Sequence, residues 1–236
     1  MINKRREEFE QHFTDYRKFL REEIHRFRDC VAVYRQIQEC KVDRLEAINQ
    51  APAFFGVVEG ALFTSIVLWG DKLFDEKGER GFFNFLTFVE QSRKWLTTAE
   101  LQRRKGYPDG HWMLDGRIPI TAESIEHDRQ KIRSLEALKS FRIRRDKFHG
   151  HFDKEFFFDR QRLQSEAPLR WCDLEEAGNI MGLMLNNYSV DFDGGFFDWD
   201  TLNIDDLDVL LRNAKHGTQM NADYPVNPTD FAEKTV

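Results

Sequence analysis

Three cysteines and six prolines are all that 236 residues contain of either kind, and each scarcity excludes something. Cys30, Cys40 and Cys172 are an odd number, with no C-x-x-C pair and no nearby pair of histidines. Neither a disulfide framework nor a zinc cage is written in that spacing, and a reducing, cytoplasmic setting suits it. The opening MINKRREEFEQHF has charge but no apolar core of the kind a secretory leader needs. Low-complexity tracts and internal repeats are absent, and period-two alternation, the mark of a half-buried strand, is nearly so. Only one long apolar run occurs, AFFGVVEGALFTSIVLWG at 53–70. Glu59 interrupts it and Asp71–Lys72 follow at once, so the expectation is a buried bundle helix and no membrane partner.

What is present is helical. No Gly or Pro precedes Pro52. Phe9, Phe13, Tyr16, Leu20, Ile24, Phe27 and Val31 recur at steps of three and four, which predicts an amphipathic helix with one apolar stripe. A weaker pattern through Tyr34, Ile37, Val42, Leu45 and Ile48 leaves open one long helix or two joined near 28–40. Further helices are expected over 53–75 and 81–103, with a turn at DEKGERG between them and a Gly- and Pro-marked loop from Gly106 to Pro119. Thr121 caps the next, with Glu123 in its first turn, and that helix runs to Gly150. Asp173 and Glu176 form a capping box opening a helix to about Tyr188, and Asn203 with Asp206 caps a last short one. The fold class expected is all-α, an up-and-down helical bundle. Its parts are an N-terminal amphipathic segment (1–50), the bundle (51–192) and an acidic C-terminal segment (193–236).

A net charge of −6 argues against non-specific coating of nucleic acid but leaves room for a local basic site. From Arg129 to Lys147 there are eight Lys or Arg against two acids, while 191–208 holds seven Asp and no base. The densest stretch is RIRRDKFHGHFD at 142–153, with four bases, two histidines and two acids. On a helix, Phe141, Arg145, Phe148 and Phe152 fall within about 60° of one another. Arg145 is thus expected on the inward face, where it needs a carboxylate such as Glu59 or Asp71, with Arg142 and Arg144 turned to solvent. His149 and His151 bracket Gly150. Imidazole serves general acid–base chemistry near neutral pH, and a neighbouring guanidinium supplies a fork of donors for phosphate.

RRDKFHGHFD resembles the signature of the HEPN superfamily, an Arg followed by a polar residue and, a few positions on, a His behind a small residue. Here those are Arg145, Asp146, Gly150 and His151. LWGDKLFD (68–75) and APLRWCDLEE resemble, in order, the helices of its abortive-infection branch, so the likeness extends over most of 50–190. The resemblance implies a helical bundle that forms a homodimer with two Arg–His pairs facing one cleft. It also implies a metal-independent endoribonuclease without cofactors, acting in phage defence or beside an antitoxin protein. In that chemistry His151 is the general acid/base, Arg145 holds the phosphate and Asp146 orients the pair. Arg142, Arg144, Lys147 and His149 are then the candidate RNA-binding residues. Arg144 with His149 satisfies the same spacing, so a second register is possible.

Two other readings compete. In an extended chain His149, His151 and Asp153 would turn to one side as metal ligands, with DFD (191–193) and DWD (198–200) as further carboxylates. Alternatively the bundle is a non-catalytic binding or dimerisation module, since a fold does not dictate a function.

Overall fold

The computed structural model describes residues 2–149, 153 and 159–223. Among them every regular element is helical. The α-helices are α1 (Ile2–Asp43), α2 (Leu45–Ile48), α3 (Pro52–Phe74), α4 (Phe82–Ser92), α5 (Thr98–Lys105), α6 (Ala122–Arg133) and α7 (Glu136–Arg144). After a π-helical turn at Arg145–His149 come α8 (Arg160–Glu166), α9 (Trp171–Asp193) and α10 (Asp206–Asp223). The all-α expectation holds.

The described residues within Met1–Val31 and Thr64–Asp200 form one compact unit. Its core is the stripe read from α1: Phe9, Phe13, Leu20, Ile24 and Phe27 are all at most 4% exposed. Aromatic rings knit this stripe to α4 and α9. Phe13 stacks on Phe192 at 4.3 Å between centroids and meets Phe85 at 5.8 Å, and Phe85 meets Tyr188 edge-on at 5.5 Å. Such pairs add about 1 kcal/mol each beyond their buried area. α9 packs against α5, α6 and α7, and α4 against α6. The second unit lies within Ala32–Phe63 and Thr201–Val236. There α2 meets α10 around Ile37, Cys40, Ala47, Ile48, Phe55 and Leu211.

Several boundaries differ from the sequence reading, each for a tertiary reason. α1 is continuous through 28–40, the longer of the two options. The helix expected over 81–103 is broken by a 3₁₀ turn at Arg93–Trp95, after which Thr97 caps α5 by accepting from the Glu100 amide at 3.3 Å. The helix expected from Thr121 to Gly150 stops at Arg133. Leu135 there is extended (ψ 119°) and 4% exposed, so burial of that leucine breaks the helix without Gly or Pro. Thr121 does cap α6, but its capping-box partner is Ser124. α9 begins two residues before Asp173, whose carboxylate accepts from the Arg170 amide at 3.0 Å; it closes the box from inside the helix. Asn203 takes a left-handed φ of 54° in the turn before α10, and α10 is 18 residues long, not short.

The apolar run of 53–70 forms α3, which is long and apolar enough to cross a membrane by length and composition. Only 22% of its apolar window is buried, which corrects the expectation of a buried helix. The burial is uneven: Ala53, Phe54, Gly56 and Val57 are exposed, whereas Ile66, Val67, Gly70, Asp71, Leu73 and Phe74 are buried.

Candidate functional site

The buried end of α3 and the end of α7 build the site together, and a glycine sets their spacing. A Cβ on Gly70 would lie 2.6 Å from the Phe141 ring, so only glycine lets that fully buried ring seat on α3. The residue after Gly70 is Asp71, and four after Phe141 comes Arg145. Their side chains meet in an ion pair between Arg145 Nη1 and Asp71 Oδ2. Of the two carboxylates open from the sequence, Asp71 is the partner; Glu59 accepts instead from Lys41 at 2.6 Å.

Arg145 is held on two sides. Its Nε donates to Asp146 Oδ1 at 2.7 Å while Nη1 meets Asp71. Asp71 is buried, yet a third of the Arg145 side chain is exposed. The guanidinium thus stands at the surface on a buried anchor. Burial holds the Asp71 carboxyl above its usual range, partly offset by the charge and hydrogen bond of Arg145, and Arg142 lies within electrostatic reach of it. For Arg145, burial acts downward, but the bond to Asp146 and the field of Asp71 outweigh it and hold the guanidinium above its usual value. It is a fixed cation at every working pH.

Arg144 has the other environment. It is 2% exposed, its Nε donates to the Ala167 carbonyl at 2.6 Å and its Nη2 to Gln164 at 3.1 Å. The sequence reading turned Arg144 to solvent, and the structure buries it; Arg145 meets the buried Asp71 as expected, with a third of its side chain exposed. Both flank the direction of Phe141, at i+3 and i+4, and local periodicity does not separate them. The docking of α8 and Ala167 does. Arg144 therefore ties α7 to α8, and its donors are used inside the protein.

The motif continues as a π-helical turn from Arg145 to His149, a geometry that recurs at functional sites. The Asp153 amide donates to the Lys147 carbonyl at 3.2 Å, and the Lys147 ammonium pairs with the Asp153 carboxylate at 2.8 Å. His149 lies edge-on to Phe148 at 5.2 Å. Burial, and then the Arg144 charge, push its imidazole below the usual value, so it is neutral at neutral pH and fit to accept a proton. Arg142 is exposed beside Asp71, and Lys147 and Asp146 stand around the same turn. Gly150, His151 and Phe152 lie outside the described residues, and with them the role assigned to His151. Among the described residues no three His, Cys, Asp or Glu converge as metal ligands.

The acidic stretch 191–208 makes its ion pairs elsewhere. Asp191 pairs with Arg117 at 2.7 Å and Asp193 with Arg17 at 2.8 Å. The sequence reading named no residue between α1 and the site, yet Glu23, 7% exposed, accepts the indole N–H of Trp69 just before Gly70. The only hint was a glutamate beside an apolar stripe.

No curated protein and no solved structure matches the chain. The family model HEPN_AbiU2, described as AbiU2, matches residues 10–212 and takes in both halves of this site, so the chain belongs to the AbiU2 family of HEPN-type abortive-infection domains.

Proposed function

We propose that this protein is a metal-independent endoribonuclease that acts in phage defence or as a toxin with a protein antitoxin. The observation that carries the reading is the posture of Arg145: a permanent cation, partly exposed and held by Asp71 and Asp146. Two carboxylates fix the guanidinium, and a third of the side chain stays exposed for a phosphate to approach. In the proposed reaction a histidine takes the proton from a ribose 2′-OH. The 2′-oxygen attacks the adjacent phosphorus, the bond to the 5′-oxygen breaks, and that oxygen receives a proton. The products are a 2′,3′-cyclic phosphate and a 5′-OH. Arg145 stabilises the charge on the non-bridging oxygens, with Arg142 and Lys147 on the flanking phosphates.

His151 is the histidine assigned by the family motif. His149, kept neutral by burial, is the second reading. The protein would act as a homodimer, with two Arg145 sites sharing one RNA cleft. The test is incubation of purified protein with mixed RNA in EDTA beside Arg145→Ala, His149→Ala and His151→Ala. The reading predicts cleavage by the wild type, loss of at least 10²-fold in Arg145→Ala, and a similar loss in one histidine variant, which names the base. Absence of cleavage under any condition, with RNA binding retained, would mean a binding module.

A further inference from the structure

Two residues before Asp71 on the same helix, Trp69 is placed in a way that the Arg145 site does not explain. Its indole N–H donates to Glu23 of α1, a carboxylate buried to 7% exposure that also pairs with Arg26 at 3.1 Å. The Arg26 guanidinium lies 5.2 Å from the indole centroid and the Lys72 ammonium 5.5 Å. Arg26 and Lys72 are both exposed, and among the described residues no carboxylate pairs with Lys72. The ring is thus fixed in its plane by a buried acid, while the groups over it are long, solvated side chains able to swing aside.

That combination is the chemistry of a seat for an unpaired base: a rigid π-surface with cations at its edge for the adjoining phosphates. At about 100° per residue Trp69 and Asp71 point about 160° away from each other around α3, and exposed Lys72 stands between them, about 60° from Trp69 and about 100° from Asp71. Arg26 also belongs to an open face of α1 that carries Lys18, Arg21 and His25 along with Glu22 and Asp29.

We propose that Trp69, braced by Glu23 and edged by Arg26 and Lys72, is a stacking seat for a base of the single-stranded RNA whose phosphate Arg145 holds, reached from Arg145 across Lys72. The inference rests on the ribonuclease reading and names a substrate subsite for it. The base slides under Lys72, whose ammonium turns out to the adjoining phosphate, and Glu23 keeps the ring from turning with it. The site therefore takes unpaired RNA, and the seat tolerates any base because each has a π-face.

The test is binding, kept separate from cleavage. Fluorescein-labelled 2′-O-methyl octamers, which cannot undergo 2′-attack, are titrated by anisotropy with wild type, Trp69→Ala, Trp69→Phe and Lys72→Gln. Trp69→Ala weakens binding about five- to a hundred-fold, and Trp69→Phe recovers most of it because a ring remains. Lys72→Gln lowers the salt dependence by about one phosphate contact. Moving one abasic site through the octamer finds a position where wild type is weakened and Trp69→Ala is not. Equal sensitivity of both proteins at every position overturns the seat. So does a change of oligomeric state in Trp69→Ala with base-independent loss of binding, which makes Trp69 part of a protein interface. Trp69-dependent binding without cleavage of natural RNA rejects the ribonuclease reading and leaves the seat standing. Cleavage with Trp69-independent binding does the reverse.

Discussion

The guanidinium of Arg144 ends against the Ala167 carbonyl and that of Arg145 against two carboxylates, so truncating them has different consequences. Arg144→Ala leaves a buried acceptor bare and costs about 2 kcal/mol at pH 7.5, a deficit that narrows toward pH 5 only by the smaller, Arg144 share of the His149 shift. Arg145→Ala strips Asp71 of its countercharge. Burial already keeps the Asp71 carboxyl protonated to higher pH when folded than when unfolded. Its contribution to stability is thus full below the unfolded value near 3.8 and is lost as pH rises through the raised one. Without Arg145 that rise is larger, so the deficit against wild type is greatest at neutral pH and shrinks as pH falls. Urea denaturation of both variants at pH 5 and pH 7.5 separates the cases; an equal deficit for Arg145→Ala at the two values would contradict the assignment. His149 has the opposite sign. Its lowered value means that the unfolded chain binds the proton first, so stability from His149 is present above about 6.5 and lost as pH falls below it.

At the scale of elements, Gly70 decides whether the site exists. Gly70→Ala forces a methyl against the Phe141 ring, costs about 1–3 kcal/mol, and moves α7 with its Arg145 off Asp71. The expected outcome is a lower melting temperature together with weaker RNA binding than stability alone explains, measured well below the melting transition. A variant that loses stability but binds RNA like wild type would show that the α3–α7 contact does not position Arg145. The sequence displayed part of this. The α1 stripe and the apolar run of α3 are legible because period and composition mark them locally. The burial of Arg144 is not, because both arginines flank Phe141 and only the docking of α8 and Ala167 draws Arg144 inside. Nor is the break at Leu135, where burial of a leucine replaces the usual Gly or Pro. Asp71 was one of two carboxylates on paper, and the pairing of Glu59 with Lys41 removes the other.

Across the whole molecule the chain is acidic, with a net charge of −6. The basic stretch is partly answered from nearby, Arg129 by Glu90 at 2.6 Å and Arg133 by Glu76 at 2.9 Å. Asp191 and Asp193 of the Asp-rich stretch pair with Arg117 and Arg17, outside that basic stretch. Arg142 and Arg145 stand at Asp71, and Arg26 and Lys72 at Trp69, on two sides of the end of α3. Against a net charge of −6, the proposed RNA contact depends on these local cations and weakens as salt rises. The most direct measurement is single-turnover cleavage, in EDTA, of an RNA and of the same RNA carrying one 2′-deoxynucleotide at the cut bond, by wild type and Arg145→Ala. The account predicts a 2′,3′-cyclic phosphate end from the first RNA, no cleavage at the deoxy bond, and little cleavage of either by the variant. Cleavage through the deoxy bond, or full activity of Arg145→Ala, would contradict it.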